Sequence, residues 1–335
     1  MGGRYTRRRV LEATGVAGLG GVLGTASTAV AKQSWRRVES PTGSSLTGAE
    51  YTSNGAYASG EGGAIIRRTD GDEWVTVVNS GPTGQSKTLN GGAVTDDAER
   101  YWVAGNSGVI GEYDTETATL YDHSKPLGIG SAFSSIGVSG DAGDERIYLG
   151  KASGEVLIGT RTEDGGIDWM LSDTGSGYDV QAVDFQLGSG EGYVSTSGGS
   201  VYWTADAGGS WSRVGVDASQ TGYTAVLTED RTTPNHVYVG GGGGRILRLD
   251  CDCNIWTPTE AGSKRIHSLE SNNKGERFLG AGGSGRIYHK ADASDGAGWK
   301  VTNTSTGNAL LAAAPADKGS EVDIVVGNSG TIIER

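Results

Sequence analysis

Cysteine, proline and phenylalanine are scarce in this chain, whose 335 residues include only 2 Cys, 6 Pro and 3 Phe. Two cysteines are too few for a disulfide framework, so the fold must be stabilised by burying its own core. The low proline content excludes a collagen-like chain, although 59 residues are Gly. Gly weakens helix interiors and suits tight turns, and the chain also contains 13 Tyr and 8 Trp. This composition predicts an all-β protein with many short strands and many turns.

Basic residues are also in deficit, with 28 Lys and Arg against 40 Asp and Glu. Without residues 1–31, the chain has 24 basic and 39 acidic residues and a net charge of −15. Nucleic acids and anionic membranes are bound through clustered Lys and Arg, whose phosphate contacts release counterions. We therefore expect neither a nucleic acid nor a membrane surface to be a general partner of this acidic protein.

The N-terminal 31 residues have the three parts of a secretory signal: a basic start, a weakly apolar stretch rich in Gly and Ala, and the small residues Ala29 and Ala31. The segment TRRRVL resembles the twin-arginine export consensus, with Arg7 and Arg8 as the pair. A membrane anchor is the alternative, but the frequent Gly makes this stretch too weakly apolar. We expect residues 1–31 to be a cleaved signal without a stable membrane anchor, and 32–335 to be a domain exported to the cell surface or beyond.

One short pattern, a Gly followed after one residue by Ile or Val, recurs along the remaining chain at intervals of 41 to 46 residues. It occurs seven times, at Gly63, Gly108, Gly154, Gly199, Gly244, Gly285 and Gly330. Four short strand patterns fall within each interval, as in a blade of a β-propeller. The repeats therefore predict a seven-bladed β-propeller.

Most repeats place a Trp shortly after the repeat Gly, and the last repeat ends before one. The aromatic residues at this position are Trp74, Trp169, Trp211, Trp256 and Trp299, with Tyr121 as the expected substitute in the second repeat. The missing strand occurs at the other end of the domain, in Trp35–Val38. We therefore predict that this N-terminal strand completes the seventh blade and closes the ring, because an open blade edge would otherwise remain.

Two repeats contain a fuller motif, S/T-x-D-x-G-x-x-W, and here the sequence resembles Asp-box (BNR-like) propellers. Its residues are Thr162, Asp164, Gly166 and Trp169 in one repeat and Thr204, Asp206, Gly208 and Trp211 in the other. The Thr and Asp oxygens would accept N–H bonds of the turn, the Gly would supply the left-handed position, and the Trp would pack between blades. We interpret the motif as a structural feature without a catalytic role.

Repeats such as TLNGGAVTDDAERYWVAGNSGVI also resemble the exported propellers of the photosystem II stability and assembly factor family. The resemblance extends over nearly the whole domain and consists of the order of strand, turn and aromatic patterns within each repeat. It implies non-catalytic chaperoning or scaffolding of a membrane complex. An acidic chain with a twin-arginine signal also looks haloarchaeal.

Motifs of cofactor and metal chemistry are weak in this sequence, so we expect no cofactor and no metal. The fingerprint G-x-G-x-x-G occurs at Gly280–Gly285, but a strand pattern follows it where a dinucleotide site needs a helix. The run Asp250–Asn254 begins like a calcium loop and then departs from it. Cys251 and Cys253 within this run could form a small disulfide or remain free thiols.

One group of basic residues stands out against the acidic background. Arg245 and Arg286 occupy the same position in adjacent repeats, and Lys264, Arg265 and His267 lie on the connection between them. In a propeller these segments emerge at one face near the central channel, where an anionic or carbohydrate ligand or an acidic protein segment would fit. Ordinary surface cations paired with carboxylates are the alternative.

The function predicted from these observations is that of a monomeric, non-catalytic binding or assembly scaffold. Two alternatives stay open: a hydrolase acting on glycans or polysaccharides, and a structural surface protein. A hydrolase would need two carboxylates that meet in space from different blades, and sequence alone does not identify such a pair.

Overall fold

The structure is a computed structural model that describes residues 34–215, 222–228, 236–250, 255–272, 275, 277–290, 298–317 and 321–335. The expected signal residues Arg7, Arg8, Ala29 and Ala31 lie outside this part of the chain, as do Cys251 and Cys253. The described residues form 28 β-strands, with five 3-10 helices of three residues each. Among them, no helix is long and apolar enough to cross a membrane.

The strands form seven four-stranded antiparallel sheets, which we number as blades 1 to 7 along the chain. Blade 1 contains β2 (Leu46–Thr52), β3 (Gly55–Gly60), β4 (Ile65–Arg68) and β5 (Trp74–Val78). Blade 2 contains β6 (Leu89–Val94), β7 (Arg100–Gly105), β8 (Ile110–Asp114) and β9 (Thr119–Asp122). Blade 3 contains β10 (Ser135–Ser139), β11 (Arg146–Gly150), β12 (Glu155–Arg161) and β13 (Ile167–Asp173). Blade 4 contains β14 (Val180–Phe185), β15 (Gly192–Thr196), β16 (Val201–Thr204) and β17 (Ser212–Arg213).

The remaining blades follow the same order, except for the last. Blade 5 contains β18 (Tyr223–Thr228), β19 (His236–Gly241), β20 (Arg245–Asp250) and β21 (Ile255–Glu260). Blade 6 contains β22 (Ile266–Ser271), β23 (Phe278–Gly282), β24 (Arg286–Lys290) and β25 (Lys300–Asn303). Blade 7 contains β26 (Leu310–Ala314), β27 (Ile324–Gly327), β28 (Thr331–Glu334) and the N-terminal strand β1 (Arg36–Val38). The predicted seven-bladed β-propeller is confirmed.

The ring closes through β1, as the sequence predicts. β1 pairs antiparallel with β28, with Arg37 opposite Ile333. Trp35, directly before β1, packs on the apolar layer between blades 6 and 7. The first strand of each blade contacts the first strand of the next, and β26 of blade 7 contacts β2 of blade 1. These seven inner strands therefore surround the central channel.

A bulge recurs near the start of the inner strands, where the pairing register shifts by one residue in six of the seven blades. The extra residue reaches the neighbouring blade: the Thr47 hydroxyl donates to the Leu89 carbonyl at 2.6 Å, and the Thr224 hydroxyl donates to the Ile266 carbonyl at 2.5 Å. These bonds join successive inner strands. The bulge is thus part of how the blades are held together around the channel.

Apolar layers between blades form most of the core. One layer joins blades 7 and 1 and contains Trp74, which is 7% exposed. Another joins blades 5 and 6 and contains Trp299. Tyr121, expected to fill this role in blade 2, is instead 47% exposed, and the preceding Leu120 packs on the neighbouring layer. The expectation for Tyr121 was wrong, because the strand alternation turns Leu120 rather than Tyr121 toward the core.

Candidate binding face

The basic residues that the sequence singles out lie on three segments at one end of the ring. Arg245 follows the turn Gly242–Gly244 of blade 5, and Arg286 follows the turn 283–285 of blade 6. The connection 261–265 joins these two blades. A strand follows the turn 283–285, as the sequence predicts, so the G-x-G-x-x-G pattern covers the end of β23 and a blade turn.

These three segments are in direct contact. A Cβ on Gly244 would come within 2.5 Å of the Gly262 carbonyl carbon, so the turn of blade 5 packs on the connection. The Gly283 N–H donates to the Arg265 carbonyl at 2.9 Å. The Tyr288 hydroxyl donates to the Lys264 carbonyl at 2.8 Å. The structure thus gathers the predicted segments into one continuous surface.

We call Arg245, Lys264, Arg265 and Arg286 the basic rim. Arg286 is half-buried and the other three side chains are exposed. No ion pair joins them to a carboxylate of the described residues, in contrast to seven other basic side chains. Those seven are Arg36, Arg68, Arg100, Lys151, Arg161, Arg277 and Arg335. The rim therefore presents cations that have not been neutralised by the described part of the protein.

Two neighbouring side chains respond to the rim charges. Burial raises the pKa of Tyr288, and the positive charge of Arg286 opposes that rise. Burial lowers the pKa of His267, and the charge of Arg265 lowers it further. His267 is therefore neutral at neutral pH and can act in the predicted site only as a hydrogen-bonding group. It also occupies the bulge position that Thr47 and Thr224 use to bond the next blade.

Three carboxylates lie on inner strands that surround the central channel, and the sequence analysis did not identify them. Glu50, Asp184 and Glu270 occupy the same position on the inner strands of blades 1, 4 and 6, two residues beyond the end of the bulge. These blades are not neighbours, so their side chains can interact only across the channel. The charges of Glu50 and Asp184 both act on Glu270.

Two of the three channel carboxylates have raised pKa values. Burial raises the pKa of Glu270 well above its ordinary value, and the charges of Glu50 and Asp184 add to this rise. Burial also raises the pKa of Asp184 to about 6, although its Oδ2 accepts bonds from the Thr228 N–H at 2.6 Å and the Thr228 hydroxyl at 2.8 Å. No group of His, Cys, Asp or Glu within the described ranges could hold a metal ion.

The second Asp-box motif forms a tight network of hydrogen bonds. The Thr204 hydroxyl donates to Asp206 Oδ1 at 2.7 Å and accepts the Gly208 N–H at 2.9 Å. Gly208 is left-handed, with a φ of 84°. The indole N–H of Trp211 donates to the Ser172 hydroxyl of blade 3 at 3.0 Å. This motif therefore fixes a turn and links blades 3 and 4.

The first motif differs at its glycine. Its Thr162 hydroxyl also donates to the Asp164 carboxylate, at 2.5 Å. The left-handed residue is Gly165, with a φ of 83°, rather than the expected Gly166. The Thr162 N–H bonds the Gly166 carbonyl, so Gly166 closes a three-residue turn directly before β13 begins at Ile167. Trp169 then lies within β13 and packs toward blade 2.

A cleft of about 460 Å³ lies at the opposite end of the ring, between blades 2 and 3, and Tyr121 lines it. On its floor, Arg161 pairs with Glu112 at 2.8 Å and with Glu145 at 2.5 Å. His123 Nε2 lies 2.9 Å from the Glu112 carboxylate. Although burial acts to raise the pKa of Glu112, the hydrogen bonds from His123 and Arg161 bring it below its ordinary value. These groups neutralise one another and tie the two blades together.

Comparisons with solved structures show the fold, while no protein-family model and no curated protein matches the chain. "YCF48 bound to D1 peptide" is 14% identical with a TM-score of 0.66, covering 90% of this chain and 94% of the other. "YCF48 from Cyanidioschyzon merolae" is 16% identical with a TM-score of 0.66, covering 90% and 98%. A chain of "Crystal Structure of Mitotic Checkpoint Complex" is 13% identical with a TM-score of 0.70, covering 96% and 98%. At these low identities the matches show the β-propeller fold.

Proposed function

We propose that this chain is a non-catalytic binding scaffold whose basic rim holds an acidic segment of a partner protein. The observation that carries the proposal is the rim itself. Four cations lie on one continuous surface, and none of them forms an ion pair with a carboxylate side chain that the structure describes; Glu260 lies opposite Arg245 across the β20–β21 ladder. In a domain with 24 basic and 39 acidic residues, such a group is a local reversal of charge.

Arginine recognises carboxylates through charge-assisted hydrogen bonds that can be bidentate. Three of the four rim residues are arginines, and Arg245 and Arg286 stand at equivalent positions of adjacent blades. This spacing suits a chain segment that crosses from one blade to the next. A YCF48 structure of the same fold contains a peptide, which supports peptide binding as a use of this architecture.

The proposal is tested by fluorescence anisotropy with a fluorescein-labelled oligoglutamate peptide. Hydrogen bonds to charged groups contribute roughly 1.5–3 kcal/mol each, so Arg245→Glu/Arg286→Glu should weaken binding by about tenfold or more. The matched control is Arg146→Glu/Lys300→Glu, which reverses two exposed cations away from the rim. Equal affinity of the rim variant and the control would refute the rim as the site.

We further propose that the protein acts outside the cytoplasm after export by the twin-arginine route. The pair Arg7 and Arg8 and the small residues Ala29 and Ala31 support this proposal, which rests on the sequence. An acidic surface is suited to solubility at high salt, in keeping with a haloarchaeal-like chain.

A second candidate function, glycan hydrolysis, is favoured by one observation. The channel holds Glu50, Asp184 and Glu270, and the raised pKa of Asp184, about 6, is typical of a general acid. Release of reducing sugars from polysaccharides by the wild type, and its loss in Asp184→Asn and Glu270→Gln, would favour the hydrolase over the scaffold.

A further inference from the structure

The outer edge of blade 3 differs from the outer edges of the other blades. Its outer strand β13 has seven residues, while the outer strands β1, β5, β9, β17, β21 and β25 have two to six. The next longest, β21, contains Pro258. Proline lacks an N–H donor and protects a sheet edge against further pairing, and β13 contains none.

The hydrogen-bond register shows which backbone groups of β13 face outward. The Thr162 N–H bonds the Gly166 carbonyl, and the Thr174 N–H bonds the Gly154 carbonyl. Between these two points, bonded and non-bonded pairs alternate along an antiparallel ladder. The even-numbered residues 168, 170 and 172 therefore bond β12. The residues whose N–H and C=O point to the outer edge are Ile167, Trp169, Leu171 and Asp173.

These outward groups have no backbone partner within the described part of the chain. They form a row of four donors and four acceptors, spaced as another strand would need them. Such a row is a template for an added strand.

The side chains on this edge are unusually apolar for an exposed strand. Met170 is 50% exposed and the adjacent Leu171 is 42% exposed. They point to opposite faces of the sheet, because successive residues of a strand alternate. An added strand would therefore find an apolar side chain on each face.

The charges on β13 and on the turn before it are all of one sign. The segment from Thr162 to Asp173 contains no Lys or Arg and includes four acidic residues: Glu163, Asp164, Asp168 and Asp173. Asp168 and Asp173 are exposed near the two ends of β13. Opposite charges placed across strands stabilise pairing, so a segment flanked by basic residues is favoured.

We propose that the edge of β13 is a docking site for an extended, β-prone protein segment with Lys or Arg at its ends, which adds to blade 3 as a fifth strand. A second copy of this chain is a poorer occupant, since both edges would be acidic. Pairing of one seven-residue strand also buries less surface than a stable dimer needs. This site is separate from the basic rim. The segment proposed for β13 is basic, whereas the segment proposed for the rim is acidic.

The experiment uses a fluorescein-labelled peptide of sequence Arg-Val-Thr-Val-Thr-Val-Arg, with Glu-Val-Thr-Val-Thr-Val-Glu as the control peptide. We expect saturable binding of the basic peptide and at least about tenfold weaker binding of the acidic one. Leu171→Pro removes an outward N–H that β12 does not use, and it should abolish binding. Leu171→Ala keeps that N–H and should bind more tightly than the proline variant.

A charge reversal tests the site without changing the backbone. Asp168→Lys/Asp173→Lys should weaken binding of the basic peptide by about tenfold, while Asp70→Lys/Glu73→Lys, at the corresponding turn of blade 1, should not. If Leu171→Pro fails to fold, this pair of variants decides the question. The rim variant Arg245→Glu/Arg286→Glu should bind the basic peptide like the wild type, so the outcome does not depend on the rim.

Hydrogen exchange locates the added strand. The amides of Trp169 and Leu171 should gain protection when the basic peptide is added, because their N–H groups become bonded. Protection elsewhere on the ring, equal binding by the folded Leu171→Pro variant, or equal binding of the two peptides would overturn the proposal. Self-association of the protein that Leu171→Pro abolishes would also overturn it, since the edge would then serve a second copy.

Discussion

Replacing Glu334 with Ala is expected to lower the free energy of unfolding by about 3 kcal/mol, because this carboxylate links both ends of the ring. Its side chain is fully buried on β28 of blade 7. It accepts bonds from Arg68 Nε at 2.9 Å and Trp74 Nε1 at 3.0 Å, both in blade 1. It also accepts a bond from Arg36 on β1, at 3.3 Å.

The magnitude follows from what each partner loses. Removing one member of a buried ion pair typically costs roughly 3–5 kcal/mol, because the other charge is left uncompensated. Arg68 keeps a second partner, Asp72, at 2.7 Å, so the lower end of that range applies. Arg36 is 61% exposed, and the exposed end of the pair contributes at most about 1 kcal/mol. Arg36→Ala should therefore destabilise the protein far less than Glu334→Ala.

Urea denaturation monitored by tryptophan fluorescence measures the free energy of unfolding of both variants, and thermal melting measures their melting temperatures. At roughly 2 °C of melting temperature per kcal/mol for a large domain, Glu334→Ala should melt about 6 °C below the wild type. The double variant Glu334→Ala/Arg68→Met should lose less stability than the sum of the two single losses, because no buried charge is left unpaired; Arg36 and Asp72, which also lose a partner, are exposed. Equal stabilities of Glu334→Ala and Arg36→Ala would refute the reasoning.

Three further outcomes are expected. Deleting residues 1–39 removes β1 and Trp35, and it should cost roughly 3–5 kcal/mol and cause aggregation, as measured by thermal melting and light scattering; an unchanged melting curve would contradict closure by β1. Arg7→Lys/Arg8→Lys should leave unprocessed precursor inside the cell, and normal secretion would exclude the twin-arginine route. Asp184→Asn should stabilise the protein by about 3 kcal/mol near pH 8 and have little effect near pH 4, because burial raises the pKa of Asp184 from 3.8 to about 6. Native-state protonation then favours folding below the unfolded pKa, and this contribution is lost as the pH rises through about 6; an equal effect at both pH values would disprove it.

The fold was predictable because each blade repeats one turn. The repeat Gly sits where the backbone is left-handed, with φ of 73° at Gly108 and 87° at Gly154, and a side chain there is strained. Such a residue recurs at nearly constant spacing, once per blade, so the number of recurrences predicts the number of blades. The strand before the first repeat and the strand missing from the last then identify the closure. Local packing was less predictable: Tyr121 has the right residue type and spacing, but strand alternation leaves it exposed.

The candidate site was only partly predictable, because the repeat pattern fixes the positions beside the repeat Gly but not the register of the strands. Arg245 and Arg286 each follow a repeat Gly directly, so their equivalence is visible in the sequence. The channel carboxylates lie before turns of variable length: Glu50 precedes its repeat Gly by 13 positions, and Asp184 and Glu270 precede theirs by 15. Their common position appears only once the strand register is known. The docking edge of β13 likewise depends on which alternate residues of β13 bond β12, and the sequence does not define this register.

The arrangement of the basic rim relative to the channel leads to one last prediction. Glu270 lies five residues beyond Arg265, which is roughly 16 Å along an extended strand. The screening length is about 8 Å at physiological ionic strength and about 30 Å at 0.01 M salt. Burial raises the pKa of Glu270, so this side chain repels an acidic peptide on the rim only at low salt and at a pH high enough to ionise it. Anisotropy titrations at alkaline pH, where Glu270 is ionised, should show that Glu270→Gln strengthens oligoglutamate binding at about 0.01 M salt and leaves it unchanged at about 0.15 M. An equal gain at both salt concentrations would mean that the peptide enters the channel and touches Glu270, which would place the binding site deeper than the rim.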